Sequence, residues 1–337
     1  MSAAAPDAPA APPGDNREMV LAPQPDELAP KSEAAAQRPL LVRGHQLWIW
    51  LSRQSRYWQE RLPRVVALIR IVYLPLALLL VGYIGYKAAD KVDISTIRIW
   101  PLLFAYFTAL VWWIALAGGW STLITERVHF PQFAAWCKTQ ATRYLPGGIW
   151  APLTRATTVQ GRVRDKAAAV AAENVIVLAV ALGVGAIWAT VHNPAWLPLA
   201  LVIGLPLLGG RWLERRTKVT RTGVMRTTGI YSVGFVAYGL TGILTQVAVS
   251  GIRHPTYPLY VAGAACLAWA VGLVVVFAPG GVGVREVVYV WALRDLYPRA
   301  DLQAAAITSR LVTVLAELTV LAIVSLPILR PERSAVP

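Results

Sequence analysis

Arginine beside a Pro-Gly-Gly turn occurs twice in this chain. The first run is Arg143-Tyr144-Leu145-Pro146-Gly147-Gly148-Ile149-Trp150, followed by Arg155. The second is Pro279-Gly280-Gly281-Val282-Gly283-Val284-Arg285-Glu286. Glycine lets backbone N–H groups approach an anion closely, and a helix start adds the positive end of its dipole. A guanidinium adds a planar fork of donors that matches two oxygens of a phosphate. Both runs are therefore candidate anion-binding turns. Arg143, Pro146, Gly147, Gly148, Trp150 and Arg155 are the candidates of the first, with Lys138 close by. Pro279, Gly280, Gly281, Gly283 and Arg285 are those of the second, and Arg310 further along joins them. Trp150 has two uses, packing against a lipid chain or anchoring at the membrane interface. The competing account of the first run is an ordinary cytoplasmic loop with basic residues. The second run is not a nucleotide loop, because it lacks the Gly-Lys-Ser/Thr ending.

Carboxylates lie close to these arginines in the sequence or within the same apolar stretches: Glu173, Glu286 and Glu317. Arg310 and Glu317 are seven residues apart and so share one helix face. Charges at membrane depth are costly, and they face a bundle interior, paired or lining a pathway. The three glutamates would orient the arginines or, since burial raises a carboxyl pKa, carry protons. A purely structural ion pair is the alternative. The four histidines, His45, His129, His192 and His254, have no metal spacing, and Cys137 and Cys266 are too few for a disulfide framework or a zinc site. No nucleophile–base pair stands out. The expectation is no catalytic residue, no metal, no cofactor and no enzymatic activity.

The elements that must hold these residues are apolar. Of 337 residues 56% are hydrophobic and only 15% charged, and the mean hydropathy is +0.51. That is too apolar for a soluble domain. The formal charge is +14, but the basic residues sit in short loops between apolar stretches. That pattern points to cytoplasmic loops and anionic headgroups rather than to nucleic acid. Stretches near the length needed to cross a bilayer cover 65–86, 100–123, 168–190, 195–208, 228–250, 260–278 and 304–329. The fourth is short and contains Pro198 and Pro206. Residues 129–155 and 279–297 are apolar but interrupted. Proline and glycine break helices, and open backbone at membrane depth is tolerated only where it lines a cavity or protein. The fold expected is all-α, a polytopic integral membrane helix bundle of about seven or eight spans, with two broken or re-entrant segments carrying the Pro-Gly-Gly turns.

Residues 1–40 are Ala- and Pro-rich and lean acidic, a composition that predicts disorder. Residues 41–64 place Leu47, Leu51, Trp58 and Leu62 at helical spacing with Arg53, Arg56 and Arg64 on another face, which predicts an amphipathic helix on the membrane surface. The transmembrane domain is expected over 65–330, with a short tail over 331–337. Residues 41–64, 126–166, 209–226 and 279–301 carry twenty-one Lys and Arg in total, against four in 87–98, 189–195 and 250–258. The positive-inside rule then puts the N-terminus in the cytoplasm.

At these residues the chain resembles the membrane domain of the lysylphosphatidylglycerol synthase/flippase-like family. The matching features are the run 144–150, Arg155, Gly161 and Glu173, the run 279–286, and the stretch from Ala306 to Glu317 with its Arg310. Their order covers most of residues 65–328. The resemblance implies a polytopic helical fold with re-entrant elements in a bacterial inner membrane, and a role in moving lipids or lipid-linked molecules. Members that make aminoacylated lipid carry a soluble catalytic domain after the membrane part. Here the sequence stops at Pro337, so the expectation is the flippase-like module without synthase activity. The function expected is a flippase-like protein that moves an anionic, phosphate-bearing membrane lipid or lipid-linked intermediate. The rival is a non-transporting scaffold or regulator of an envelope-synthesis enzyme. A third possibility, an intramembrane enzyme acting on lipid-linked sugars, would need a cavity-facing carboxylate or histidine without a salt-bridge partner.

Overall fold

The computed structural model describes residues 97–326, apart from 145–149, 192 and 276–277. The N-terminal tail, the amphipathic segment 41–64, the apolar stretch 65–86, the Pro146-Gly147-Gly148 turn and the tail 331–337 lie outside the described residues. Those that are described form helices and no strand. Ten α-helices follow one another: α1 (Ile99–Thr125), α2 (Phe130–Gln140), α3 (Trp150–Ala156), α4 (Val163–Thr190), α5 (Leu197–Ala200), α6 (Leu205–Arg216), α7 (Arg221–Ser250), α8 (Tyr257–Val274), α9 (Val284–Leu293) and α10 (Arg299–Ser325). Short 3-10 turns cover Ala141–Tyr144, Pro194–Trp196, Leu201–Gly204 and Pro279–Gly281.

Six helical stretches among the described residues are long and apolar enough to cross a membrane: α1, α4, the broken run Pro194–Arg216, α7, α8 and α10. The outward side of α1 makes the point. Phe104, Phe107 and Ile114 are at least half exposed, while Ala105, Ala109, Trp112, Trp113 and Leu116 are buried on the other side. Water would not tolerate an apolar belt of this kind on a monomer surface. The run at 194–216 is broken as its prolines require, with α5 and α6 separated by a 3-10 turn. The described parts of the two interrupted stretches, 129–155 and 279–297, include short helices, and in the second the Pro279–Gly281 turn stands before α9.

Several helices begin before the apolar stretch that announces them. Helix α7 starts at Arg221, seven residues ahead of the apolar window, because Thr220 caps it by accepting the Gly223 N–H at 3.0 Å. Arg226 in its second turn donates to the Glu126 carbonyl at 2.6 Å. Hydropathy marks the hydrocarbon-length part of a helix and misses capped, basic ends.

Helix α7 is the centre of the fold and packs on α1, α4, α8 and α10. Its contact with α1 is the closest, and small residues make it so. The Tyr231 ring lies against Gly119, where an added Cβ would fall 2.0 Å from its Cε1. Gly234 faces Ala115 in the same way. The Thr227 hydroxyl donates to the Gly119 carbonyl at 2.9 Å, and the Thr108 and Thr241 hydroxyls are 2.8 Å apart. Hydrocarbon supplies no hydrophobic drive between helices, so backbone approach and hydrogen bonds hold the pair.

Candidate functional site

The first run's two arginines are drawn into the bundle. Arg155, on α3, forms an ion pair with Glu173 of α4, and both are almost fully buried, at 6% and 3% exposure. The other Glu173 oxygen accepts the indole N–H of Trp136 at 2.8 Å, and the Tyr231 hydroxyl lies 3.5 Å from it. The Arg155 guanidinium lies over the rings of Trp136 and Trp120, at 5.2 and 5.5 Å. Elements α2, α3, α4 and α7 thus meet on one carboxylate. Arg143 forms a second pair, 2.5 Å from Glu317 of α10, and lies 4.7 Å from the Trp113 ring. Trp150 opens α3 and Lys138 falls in the last turn of α2.

The second run is arranged differently. Gly280 and Gly281 have φ of 58° and 72°, a region open mainly to glycine, and turn the chain between α8 and α9. Gly283, with φ 84°, precedes α9, and its N–H donates to the Glu286 carboxylate at 2.7 Å. That carboxylate therefore caps the start of α9. Arg285 runs between Gly272 of α8 and Gly281 of the turn. A Cβ on Gly272 would lie 2.5 Å from its Cγ, and a Cβ on Gly281 would lie 2.6 Å from its Nε. These glycines make a slot for an arginine side chain rather than a cradle of N–H groups for a ligand. Its Nε is buried without a hydrogen-bond partner among the described residues. Its guanidinium stands 5.3 Å from the Trp269 ring.

Arg310 reaches the same place from α10. It is 8% exposed and donates to the Gly280 carbonyl at 2.9 Å. The sequence spacing suggests a carboxylate partner for it, Glu286, Glu173 or Glu317. The structure gives it a carbonyl instead, because Glu286 caps α9, Glu173 holds Arg155 and Glu317 holds Arg143. Neither Arg285 nor Arg310 forms an ion pair among the described residues. Burial first, and the Arg310 charge second, pull the Arg285 guanidinium down to about 10. It stays protonated at neutral pH.

Both guanidinium groups line a cavity of about 30 Å³ between α7, α8, α9 and α10, together with Tyr238, Glu286, Tyr289, Ser309 and Thr313. The Tyr289 hydroxyl donates to the Gln246 side-chain oxygen at 3.0 Å. At 1.5 Å per residue Arg310 lies about 16 Å along α10, near its middle. The cavity is small, and two guanidinium groups and one carboxylate line it.

Of the residues that sequence reasoning selects, Arg285, Glu286 and Arg310 line this cavity, and Gly280 and Gly281 shape it. Arg143, Arg155, Glu173 and Glu317 are engaged in the two ion pairs, and Pro146, Gly147 and Gly148 lie outside the described residues. The 3-10 turn that carries Arg143 nonetheless packs against the Pro279–Gly281 turn, so the two runs are neighbours. Gly272, Trp269 and Tyr289 were not legible as site residues. They sit in apolar stretches, and only the path of Arg285 reveals the first two. Cys137 and Cys266 are buried and free, and burial pushes the Cys137 thiol up to about 12, away from nucleophilic use. Among the described residues no cluster could hold a metal ion.

No family model, no curated protein and no solved structure matches the chain. The class is set by the fold: an all-helical protein over its described residues, with six helices long and apolar enough to span a membrane.

Proposed function

We propose that this protein is flippase-like: it holds the phosphate-bearing headgroup of an anionic lipid or lipid-linked intermediate at Arg285 and Arg310 and moves it across a cell membrane. The observation that carries the reading is a pair of guanidinium groups at one cavity in a helix bundle, neither in an ion pair among the described residues, with the Glu286 carboxylate of the same lining engaged at the start of α9. Cations at that depth are costly unless something neutralises them. A phosphate offers oxygens in the geometry of the guanidinium fork, and a cavity of about 30 Å³ admits the anionic group alone. The chain's likeness to the lysylphosphatidylglycerol synthase/flippase-like membrane domain supports the same reading. In it α2–α3 and the Pro279–Gly281 turn with α9 are re-entrant, the N-terminus is cytoplasmic and the membrane is a bacterial inner membrane.

The two closed pairs, Arg155–Glu173 and Arg143–Glu317, favour a second reading, a membrane scaffold for an envelope-synthesis enzyme. Vesicles separate the two. The purified protein is reconstituted with fluorescent phosphatidylglycerol or a fluorescent prenyl phosphate, and binding and transbilayer movement are followed at one salt concentration. Arg285→Ala and Arg310→Ala should each abolish both, Arg→Lys should rescue in part, and Arg215→Ala with Arg216→Ala in the basic end of α6 should leave both intact. Movement and binding unchanged in Arg285→Ala and Arg310→Ala would leave the scaffold reading standing.

A further inference from the structure

A second cavity lies one helical turn further along α9. Its volume is about 150 Å³, and it is enclosed by α4, α5, α8, the end of α9 and the Pro194–Trp196 turn. Leu182, Trp196, Leu199, Leu267 and Leu293 give it an apolar wall, and glycine and alanine on α4 and α8 leave the room. Gly185 and Gly263 bring those two helices together: a Cβ on Gly263 would fall 3.0 Å from the Gly185 carbonyl oxygen.

We infer that this cavity takes a hydrocarbon chain of a membrane lipid. Three observations select that occupant. The wall is mostly apolar, Tyr260 apart, and a space of this size with such a wall accepts small hydrocarbon guests, which disfavours water and ionic headgroups. A helix is about 10–12 Å across with its side chains, so neither another span of this chain nor a partner's helix enters a space of about 150 Å³. Around the cavity Ile187, Val191, Leu197 and Leu201 are all more than half exposed. The medium that meets those side chains in a spanning bundle is lipid, and a single acyl or prenyl chain is its only thin component. The inference stands on this cavity and does not rest on the headgroup reading, since an uncharged lipid fills it equally.

The test uses the full chain in phosphatidylcholine vesicles containing a trace of phosphatidylcholine with a diazirine in its acyl chain. After illumination the adducts are mapped by peptide mass spectrometry. Adducts on α4 around Leu182 and on α8 around Leu267 should exceed, several-fold, those on the outward face of α1 at Phe104 and Phe107, both more than half exposed. Ala264→Phe and, from the half-buried rim, Leu199→Trp should remove the α4 and α8 adducts and leave those of α1. The zwitterionic probe keeps the outcome separate from anion binding. Wild-type adducts no denser in the cavity than on α1 would overturn the inference, and so would adducts that persist unchanged in Leu199→Trp. Should Ala264→Phe fail to fold, the wild-type comparison and Leu199→Trp decide.

Discussion

Glu173 offers the sharpest test of how the bundle holds its charges. Its carboxylate is 3% exposed, neutralises Arg155, and accepts the indole N–H of Trp136. Glu173→Gln keeps an oxygen for that indole and removes the charge. Arg155 is then left buried with two aromatic faces and no anion. Breaking a buried pair in this way costs about 3–5 kcal/mol, whereas replacing both partners by apolar groups is close to neutral. Glu173→Gln should therefore lose most of the margin of a domain that is stable by only about 5–15 kcal/mol, and Arg155→Met with Glu173→Leu should recover much of it. Reversible unfolding in mixed micelles, read by circular dichroism, measures the single variants and the double. A single variant within about 0.5 kcal/mol of the parent, the range of an inert surface change, would refute the reasoning. So would a double variant as unstable as the two singles added.

The second run yields two further contrasts. Gly281→Ala should cost about 1–3 kcal/mol from its positive φ and also drive Arg285 from its slot, while Gly283→Ala, with open space around it, should cost strain alone. Thermal melting together with anionic-lipid binding checks this, and equal binding by the two variants would count against the slot. Glu286→Ala should cost about 1 kcal/mol as a lost cap, and Glu286→Gln should hold stability because Gln serves the same box. Melting temperatures of the two variants read the difference.

Much of the fold was legible because hydrocarbon imposes simple rules. Six of the seven apolar stretches of spanning length are helical among the described residues, and the prolines at 198 and 206 marked the broken one. The break at Pro279–Gly281 was legible for the same reason. The site was legible by residue type but not by partner. Composition shows four arginines and three glutamates in apolar surroundings, and many pairings satisfy it. Arg155 with Glu173 and Arg143 with Glu317 are 18 and 174 residues apart, and only helix packing chooses them. Glu286 was the misleading one. It sits beside Arg285 in sequence, yet neighbours on a helix point apart, and its carboxylate turns back to the Gly283 N–H. Gly272 carries no signal at all, since glycine inside an apolar stretch reads as ordinary helix packing.

The division of the carboxylates explains why Arg285 and Arg310 form no ion pair among the described residues. Three glutamates stand near four arginines. Glu317 and Glu173 each close one, and Glu286 is spent on a helix start. Arg285 and Arg310 are the remainder, and both turn to the same side of α8. The Pro279–Gly281 turn lies beside both, and Arg310 takes its Gly280 carbonyl. A carbonyl is a dipole and leaves the charge in place. Helix α10 carries an arginine of this remainder and, two turns on, the glutamate that closes Arg143. The turn bearing Arg143 packs against the turn that Arg310 grips. An anion entering the cavity would therefore meet one helix that holds both ends of the arrangement. The placement of Arg310 and Glu317 on one face ties the cavity to the first run.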